Sequence, residues 1–517
     1  MAALPSAIGV AGAGTMGAGI AQLGCLGGFE TYLHDPLPEA LERGGSRVRD
    51  GLRKGAERGR WSEADAEAAA GRLHLAAELD DLAPCGLVVE AAPERPDLKR
   101  ELFERLSAVC ADDAVLATNT SSILVTSLAG AVARPENVVG MHFFNPPPLM
   151  KLVEVIAAEQ TGERALEVAT GVCERMDRRP IRAHDGPGFL VNRCNRPFGA
   201  EALRLLGERI ATHEQIDRIV RLGGGFRMGP FELMDLVGID VGYEVARSFT
   251  EQSFGEPRWK PSPLQARMVA AGRLGRKSGR GWYDYSGAES CPPEDPDPLE
   301  PGGGDGRVVA IEGAGALARE LRERAVAAGF DARQLVSVGG LEEPELIVDA
   351  TVPAPAADLG GLPEGPPLAV VCADRSLAAR GAPGACGFNL LPPLEGTRLV
   401  ELTRSRDTPD AAADATESFF RALGLHAEWV ADAPGLVLGR IVCQLVNEAA
   451  FALGEGIGSA EDVDAGLVLG MNHPRGPVEW GRAIGFDHVL ATIDGLWDER
   501  REERYRAAPL LRGGGIE

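Results

Sequence analysis

Of all the residue pairs in this 517-residue chain, His142 and Glu154 have the types and setting best suited to catalysis. The acid lies in Leu152-Val-Glu154-Val-Ile156, among apolar and β-branched neighbours. It therefore points off a buried strand, where an unpaired carboxylate is costly. The Pro-rich return Asn145-Pro-Pro-Pro148 separates this strand from Gly140-Met-His142-Phe-Phe144 and can fold the imidazole back to within hydrogen-bonding reach. An imidazole with a carboxylate behind it is a general base with its orienting group.

A second group is Gly12-Ala-Gly14-Thr15-Met16-Gly17, directly after an apolar strand and opening a helix, with Asp35 closing the next strand. Glycine lets the backbone approach a pyrophosphate, whose charge then sits at the helix N-terminus. The acid is placed to bond a ribose hydroxyl, and it favours NAD over NADP because a 2′-phosphate would be repelled. Two further polar positions belong with these. Thr118-Asn-Thr-Ser121-Ser122 follows a strand, where loops of a parallel sheet carry ligands, and Asn192 lies on the first turns of a helix after Asp185-Gly-Pro-Gly188. A third group is a charge run: residues 43–60 hold Arg43, Arg47, Arg49, Arg53, Lys54, Arg58 and Arg60 against only Asp50 and Glu57, in a chain of net charge −23. It reads as a docking site for a polyanion.

The elements that must position these residues follow from hydrophobic periodicity. Strands are expected at 6–12, 30–34, 87–91, 115–118, 138–142 and 151–156, with helical pattern between several of them. That alternation implies a largely parallel, doubly wound sheet. After Asp185 the pattern turns helical, at 192–207, 214–222, 231–250 and 264–271. Residues 286–306 are Pro, Gly and acid with little to bury, so they read as a linker.

Beyond the linker the pattern recurs. Adding 247 to each position from Asp185 to Asp240 gives 19 identities in 56 positions without a gap. The chain is a tandem duplication. In the second copy the Gly-rich turn is Gly313-Ala-Gly315-Ala-Leu-Ala318, and Val336 stands where the first copy has Asp35. Asn389 replaces His142, Glu401 retains Glu154, Gly439 replaces Asn192, and the basic run has no counterpart. Only the first copy is expected to hold cofactor and do chemistry.

Composition bounds the rest. Hydrophobic residues at 44% and charged residues at 25% are ordinary for a soluble globular chain. The acidic balance disfavours nucleic acid and anionic membranes. Nine scattered Cys without CxxC spacing fit reduced thiols of a cytoplasmic protein rather than disulfides or a metal site. No signal peptide and no membrane span are expected.

The residues resemble the L-3-hydroxyacyl-CoA dehydrogenase family. The resemblance rests on GAGTMG with Asp35, VVEAAPE, TNTSS, GMHFFNPPPLMKLVEVI, DGPGFLVNR, GGGFRMGPFELMDLVGID and GRKSGRGWYDY, spanning residues 6–285 in order. It implies a Rossmann-type α/β domain followed by an all-α domain, the pair here duplicated with a degenerate second copy. The implied boundaries are 1–185, 186–285, a linker at 286–306, then 307–430 and 431–517. It implies NAD as cofactor, with contacts from Asp35, Glu94, Lys99, Ser121, Asn145 and Lys277 besides the Gly-rich turn, so that the helical domain carrying Lys277 would close over the nicotinamide. Its implied chemistry is oxidation of an (S)-3-hydroxyacyl-CoA, with His142 and Glu154 as the catalytic pair and Ser121 and Asn192 contacting substrate. The basic stretch around Arg53 and Lys54 corresponds to the region that receives the CoA phosphates. The tandem form is similar to long bacterial members acting on a dicarboxylic acyl-CoA in phenylacetate catabolism; a short chain in fatty acid β-oxidation is the other reading. A relative acting on a CoA-free hydroxy acid, and an NAD-binding sensor or scaffold, remain alternatives. Single-copy members pair through their helical domains, so 431–517 is expected to pack on 186–285 as a built-in partner, with further homo-oligomers open.

Overall fold

A computed structural model describes residues 2–287, 292–334, 343–353 and 365–516. Val336 lies outside them. The chain forms two compact units, one of residues 1–193 with 456–471, the other of residues 194–455 with 472–517.

In the first unit eight strands form one sheet: β1 (Ala7–Ala11), β2 (Glu30–His34), β3 (Leu73–Ala76), β4 (Leu87–Glu90), β5 (Val115–Thr118), β6 (Val138–Phe143), β7 (Leu152–Ala157) and β8 (Arg179–His184). Their order is β3-β2-β1-β4-β5-β6-β7-β8. Every neighbouring pair is parallel except β6 and β7, which the Pro-rich return makes antiparallel. The central strands are buried on both faces, which is why they read as unbroken apolar runs. The two edge strands β3 and β8 are additional to the six expected ones. In β8 only Ile181 and Ala183 are fully buried, and Pro180 is tolerated because an edge strand can spare a donor.

Between β2 and β3 lie the helices Pro38–Glu57 and Glu63–Gly71. The basic run lies on the first of these from Arg43 to Glu57, and Arg58 and Arg60 continue past its end. Leu41, Val48 and Leu52 face the core while all seven cations are exposed.

The second unit holds the second copy's sheet: β9 (Val308–Glu312), β10 (Asp331–Arg333), β11 (Leu346–Asp349), β12 (Leu368–Val371), β13 (Cys386–Asn389), β14 (Leu399–Arg404) and β15 (His426–Trp429), in the order β10-β9-β11-β12-β13-β14-β15. The antiparallel step recurs at β13–β14. The expected helix at 231–250 is two helices, Pro230–Val237 and Ile239–Gln252. Gly238, at φ +108°, breaks them with a backbone conformation that side chains resist.

The described part of the 286–306 segment is fixed to this unit: Arg221 grips Asp295 at 2.6 and 3.1 Å, and Gly302 N–H donates to Ala422 O. Its composition correctly reflects that it buries little apolar surface. Polar partners hold it nonetheless.

Helices of both copies share one core here, with Phe198, Leu205, Ile219 and Val220 packed among Leu438, Val442, Val446 and Ile493. Arg440, fully buried at its centre, donates to Glu201 at 2.9 Å, Glu208 at 2.8 Å and the Tyr505 hydroxyl at 2.8 Å. Removing one partner of a buried ion pair strands the other charge, so Glu201→Ala should cost about 3 kcal/mol. Urea denaturation followed by tryptophan fluorescence checks this, and an unchanged midpoint would contradict it.

Candidate active site

The antiparallel register sets His142 directly opposite Glu154. His142 Nδ1 lies 2.7 Å from Glu154 Oε2, with both side chains buried. A carboxylate only accepts, so Nδ1 carries the proton and Nε2 presents its lone pair. The ring is flanked by Phe144 at 4.7 Å and Phe189 at 6.0 Å between centroids. Glu154 Oε1 accepts from the amides of Leu190 (3.1 Å) and Val191 (2.9 Å), so the buried charge is satisfied on both oxygens. The same bonds fix the start of the helix Val191–Gly207, on whose first turn Asn192 sits half-buried.

Ser121 is exposed on the loop after β5. Glu94 Oε1 ties that loop down by accepting from Thr120 Oγ1, Ser121 N, Ser122 N and Ser122 Oγ. Burial opposes the charge on Glu94, but the Lys99 ammonium and the two hydroxyls outweigh it and hold the carboxyl below its ordinary range. Lys99 is 1% exposed and bridges Glu94 (3.2 Å) to Glu90 (2.6 Å), whose other oxygen takes the Thr118 hydroxyl. Sequence reasoning missed Glu90, although the argument used for Glu154, that a carboxylate on a buried strand needs a partner, applies equally to Leu87-Val-Val-Glu90. It also missed Asp185, whose Oδ2 accepts from Thr126 N at 2.7 Å.

The Gly-rich turn is shaped by close approach. A Cβ at Gly12 (φ +118°) would meet Ala91 O at 2.6 Å, and one at Gly17 would meet Gly12 O at 1.7 Å. Gly14, by contrast, faces open space and caps the helix Thr15–Leu26 with no side-chain bond and no acid in the first turn. Unsatisfied amides with room above them are the cradle a pyrophosphate requires. Asp35 accepts from Ala13 N at 2.9 Å and Leu37 N at 3.0 Å, which holds its carboxylate at the turn. Thr15 is exposed, Met16 is half-buried, and Asn145 is exposed on the return after β6. The residues present fit NAD.

Arg53 and Lys54 are exposed on the basic helix, Arg53 bridging Asp50 and Glu57. Lys277 belongs to the second unit and pairs with Asp240 at 2.6 Å.

In the second copy Asn389 lies opposite Glu401, donating from Nδ2 at 3.2 Å. Glu401 still accepts from the amides of Val437 and Leu438. The retained acid thus performs the helix-anchoring half of Glu154's work without an imidazole to orient. At the position matching Glu90, Asp349 is paired with the buried Arg380 at 2.7 Å.

A dinucleotide cradle in the same compact unit as an oriented imidazole defines an NAD-dependent oxidoreductase. Residues 7–186 match the family model "3-hydroxyacyl-CoA dehydrogenase, NAD binding domain", and residues 188–285 and 435–513 match "3-hydroxyacyl-CoA dehydrogenase, C-terminal domain". The chain is 34% identical to the 3-hydroxyadipyl-CoA dehydrogenase of Escherichia coli K12 over 98% of its own length and 96% of the relative's. It is 42% identical to a probable 3-hydroxybutyryl-CoA dehydrogenase of Deinococcus radiodurans over 54% of this chain and 99% of that one. Among solved structures, 3-hydroxybutyryl-CoA dehydrogenase from Escherichia coli K12 matches at TM-score 0.83 and 32% identity, covering 99% of each chain. The chain belongs to the 3-hydroxyacyl-CoA dehydrogenase family.

Burial pushes the Glu401 carboxyl from its ordinary 4.5 up to about 7 against the pull of its hydrogen bonds. A raised value means that ionisation works against the fold: the contribution is whole below the unfolded value and is lost as pH climbs through about 7. Glu401→Gln cannot ionise. Its melting temperature should therefore fall less than the parent's between about pH 5.5 and about pH 8, although Asp217, also raised to about 7 by burial, keeps part of the slope. An unaltered slope in a calorimetric scan would refute the assignment.

Proposed function

We propose that the first copy oxidises an (S)-3-hydroxyacyl-CoA to the 3-oxoacyl-CoA and that the second copy is not catalytic. The observation that carries this is the His142–Glu154 pair at 2.7 Å, set against Asn389 opposite Glu401. Gly12, Gly14, Thr15, Met16 and Gly17 would hold NAD, with Asp35 on a ribose hydroxyl and Glu94 and Asn145 as further contacts, Glu94 being held in place by the buried Lys99. Bound there, NAD supplies the acceptor for the hydride that leaves C3. His142 Nε2 takes the C3 hydroxyl proton as the carbonyl forms, and Glu154 keeps the ring oriented and stabilises the imidazolium. Ser121 and Asn192 hold the reacting oxygen or the thioester carbonyl.

The exposed helix bearing Arg53 and Lys54 receives the CoA phosphates, which favours a CoA ester over a free hydroxy acid. A short or dicarboxylic acyl chain is the preferred substrate, a reading that the relatives' names support; the reaction would then belong to fatty acid or aromatic catabolism, in the cytoplasm. Among the described residues no helix is long and apolar enough to cross a membrane. The chain divides at 185, 285, 306 and 430 into the two Rossmann-type and two helical domains, and the helical domains act as an intrachain pseudo-dimer, a reading supported by their shared core.

His142→Gln should lower turnover of acetoacetyl-CoA and NADH by about 10²- to 10⁴-fold, with NADH binding retained by fluorescence titration. Activity near the parental level would overturn the assignment. Arg53→Glu with Lys54→Glu should raise KM for CoA esters and leave KM for NAD unchanged; equal effects on both would sink the CoA-docking role.

A further inference from the structure

The first unit is not built from the first copy alone. Residues 456–471, including the helix Ala460–Met471, come from the second copy's helical region yet belong to this unit. His184 N–H at the end of β8 donates to Ile457 O at 2.8 Å, and Arg179 on the same strand pairs with Glu461. Three glycines bring the segment to backbone distance. A methyl group added at Gly458 would lie 2.7 Å from Leu190 Cδ2, and one at Gly466 would lie 2.7 Å from Val191 Cγ2. At Gly470 it would lie 2.8 Å from Leu152 Cδ2 and 3.3 Å from Phe144 Cε1.

These touched residues set the geometry of the reactive pair. Leu190 and Val191 carry the two amides that hold Glu154 Oε1, Leu152 shares β7 with Glu154, and Phe144 packs against the imidazole. The arrangement is reciprocated in the second unit. There the first copy's helix His213–Gly224 meets β14, Leu222 O accepts from Arg398 N at 2.9 Å, and Gly223 approaches Leu438, whose amide bonds Glu401. A methyl group added at Gly223 would also lie 3.7 Å from Leu399 O, and Gly223 and Leu399 are the offset-247 counterparts of Gly470 and Leu152. This one contact thus recurs in both copies, but only one of them has an imidazole behind it.

We propose that the segment 457–471, supplied by the second copy, is a positioning element of the first copy's active site, with Gly458, Gly466 and Gly470 as its positioning residues. It presses Val191 and Leu190 onto Glu154 and Phe144 onto His142, so that Nε2 is held where it meets substrate. A buried interior transmits such pressure because it has no slack to absorb it. The second copy is therefore kept for the precision of a site to which it contributes no reacting group. This inference rests on the reading of His142 and Glu154 given above.

The test is a complementary pair in the full-length chain. Gly466→Ala should lower kcat for acetoacetyl-CoA reduction between about ten- and a hundredfold, the loss typical of a displacement of about an ångström, with KM for NADH within about twofold of the parent. Adding Val191→Ala, which removes the methyl group that the new one strikes, should return most of the lost kcat. Unchanged kcat in Gly466→Ala, or a loss that follows only the folded fraction counted by NADH titration, would overturn the proposal. So would failure of the double variant to recover. Should Gly466→Ala not fold, Gly458→Ala against the flexible end of Leu190 gives the milder form of the same test, again with kcat lowered and KM for NADH unmoved. If His142→Gln proves active, the catalytic reading itself has failed; if it is inactive while Gly466→Ala is normal, only the positioning role has.

Discussion

The need to satisfy one buried carboxylate organises the first unit. Glu154 is fully buried on β7, and charge in that position survives only with hydrogen bonds on every side. One oxygen is met by His142 across the antiparallel pair, the other by two backbone amides at the start of the helix Val191–Gly207. Those bonds tie the antiparallel pair β6–β7 to the chain path through Asp185–Leu190 and to the helix start that carries Asn192. The solution to a desolvation problem also leaves one nitrogen free of the carboxylate: an imidazole whose Nδ1 is committed to Glu154 presents Nε2 alone.

The second copy separates the two demands on that carboxylate. Glu401 keeps both amide bonds while Asn389, an amide donor that cannot take up a proton, occupies the place of the imidazole. Retention of the acid there is structural, since the helix Leu438–Gly454 still needs its first amides satisfied. The same logic holds at the Gly-rich turn. Gly315 still caps its helix into open space, but Ala318 stands where Gly17 packs against Gly12 O, so the tight form of the turn is gone. Fold-keeping features persist; the imidazole and the closest glycine packing do not.

Much of this was legible from sequence because the signals were local. Strand–turn–helix glycines, apolar runs and an acid stranded among β-branched residues each report on their own surroundings, and the six central strands and the His142–Glu154 contact followed from them. The edge strands β3 and β8 were not legible, being short and only partly buried. Nor was the break at Gly238, since helical periodicity continues on both sides of it. The Glu90–Lys99–Glu94 network was missed for another reason: a lysine on an amphipathic helix reads as solvent-exposed unless its position is known to face two carboxylates. The exchange of the 456–471 segment lay furthest from view, because the periodicity of a helix reveals that one face is buried but not which copy buries it.

The net charge of −23 is consistent with a polyanionic substrate once distance is considered. At physiological ionic strength charges separated by more than about 8 Å are largely screened, so an incoming phosphate responds to the helix nearest it rather than to the total. The helix Pro38–Glu57 offers Arg43, Arg47, Arg49, Arg53 and Lys54 from one exposed surface, and Arg58 and Arg60 continue past its end. Arg53 is already bridged to Asp50 and Glu57, pairs that are exposed and therefore weak. A phosphate can displace them at little cost, since it offers the guanidinium a bidentate, more highly charged partner. Those acids hold the arginine in place, and the surplus of cations over acids across residues 43–60 leaves a net attraction for an anion that the distant negative charge does not cancel.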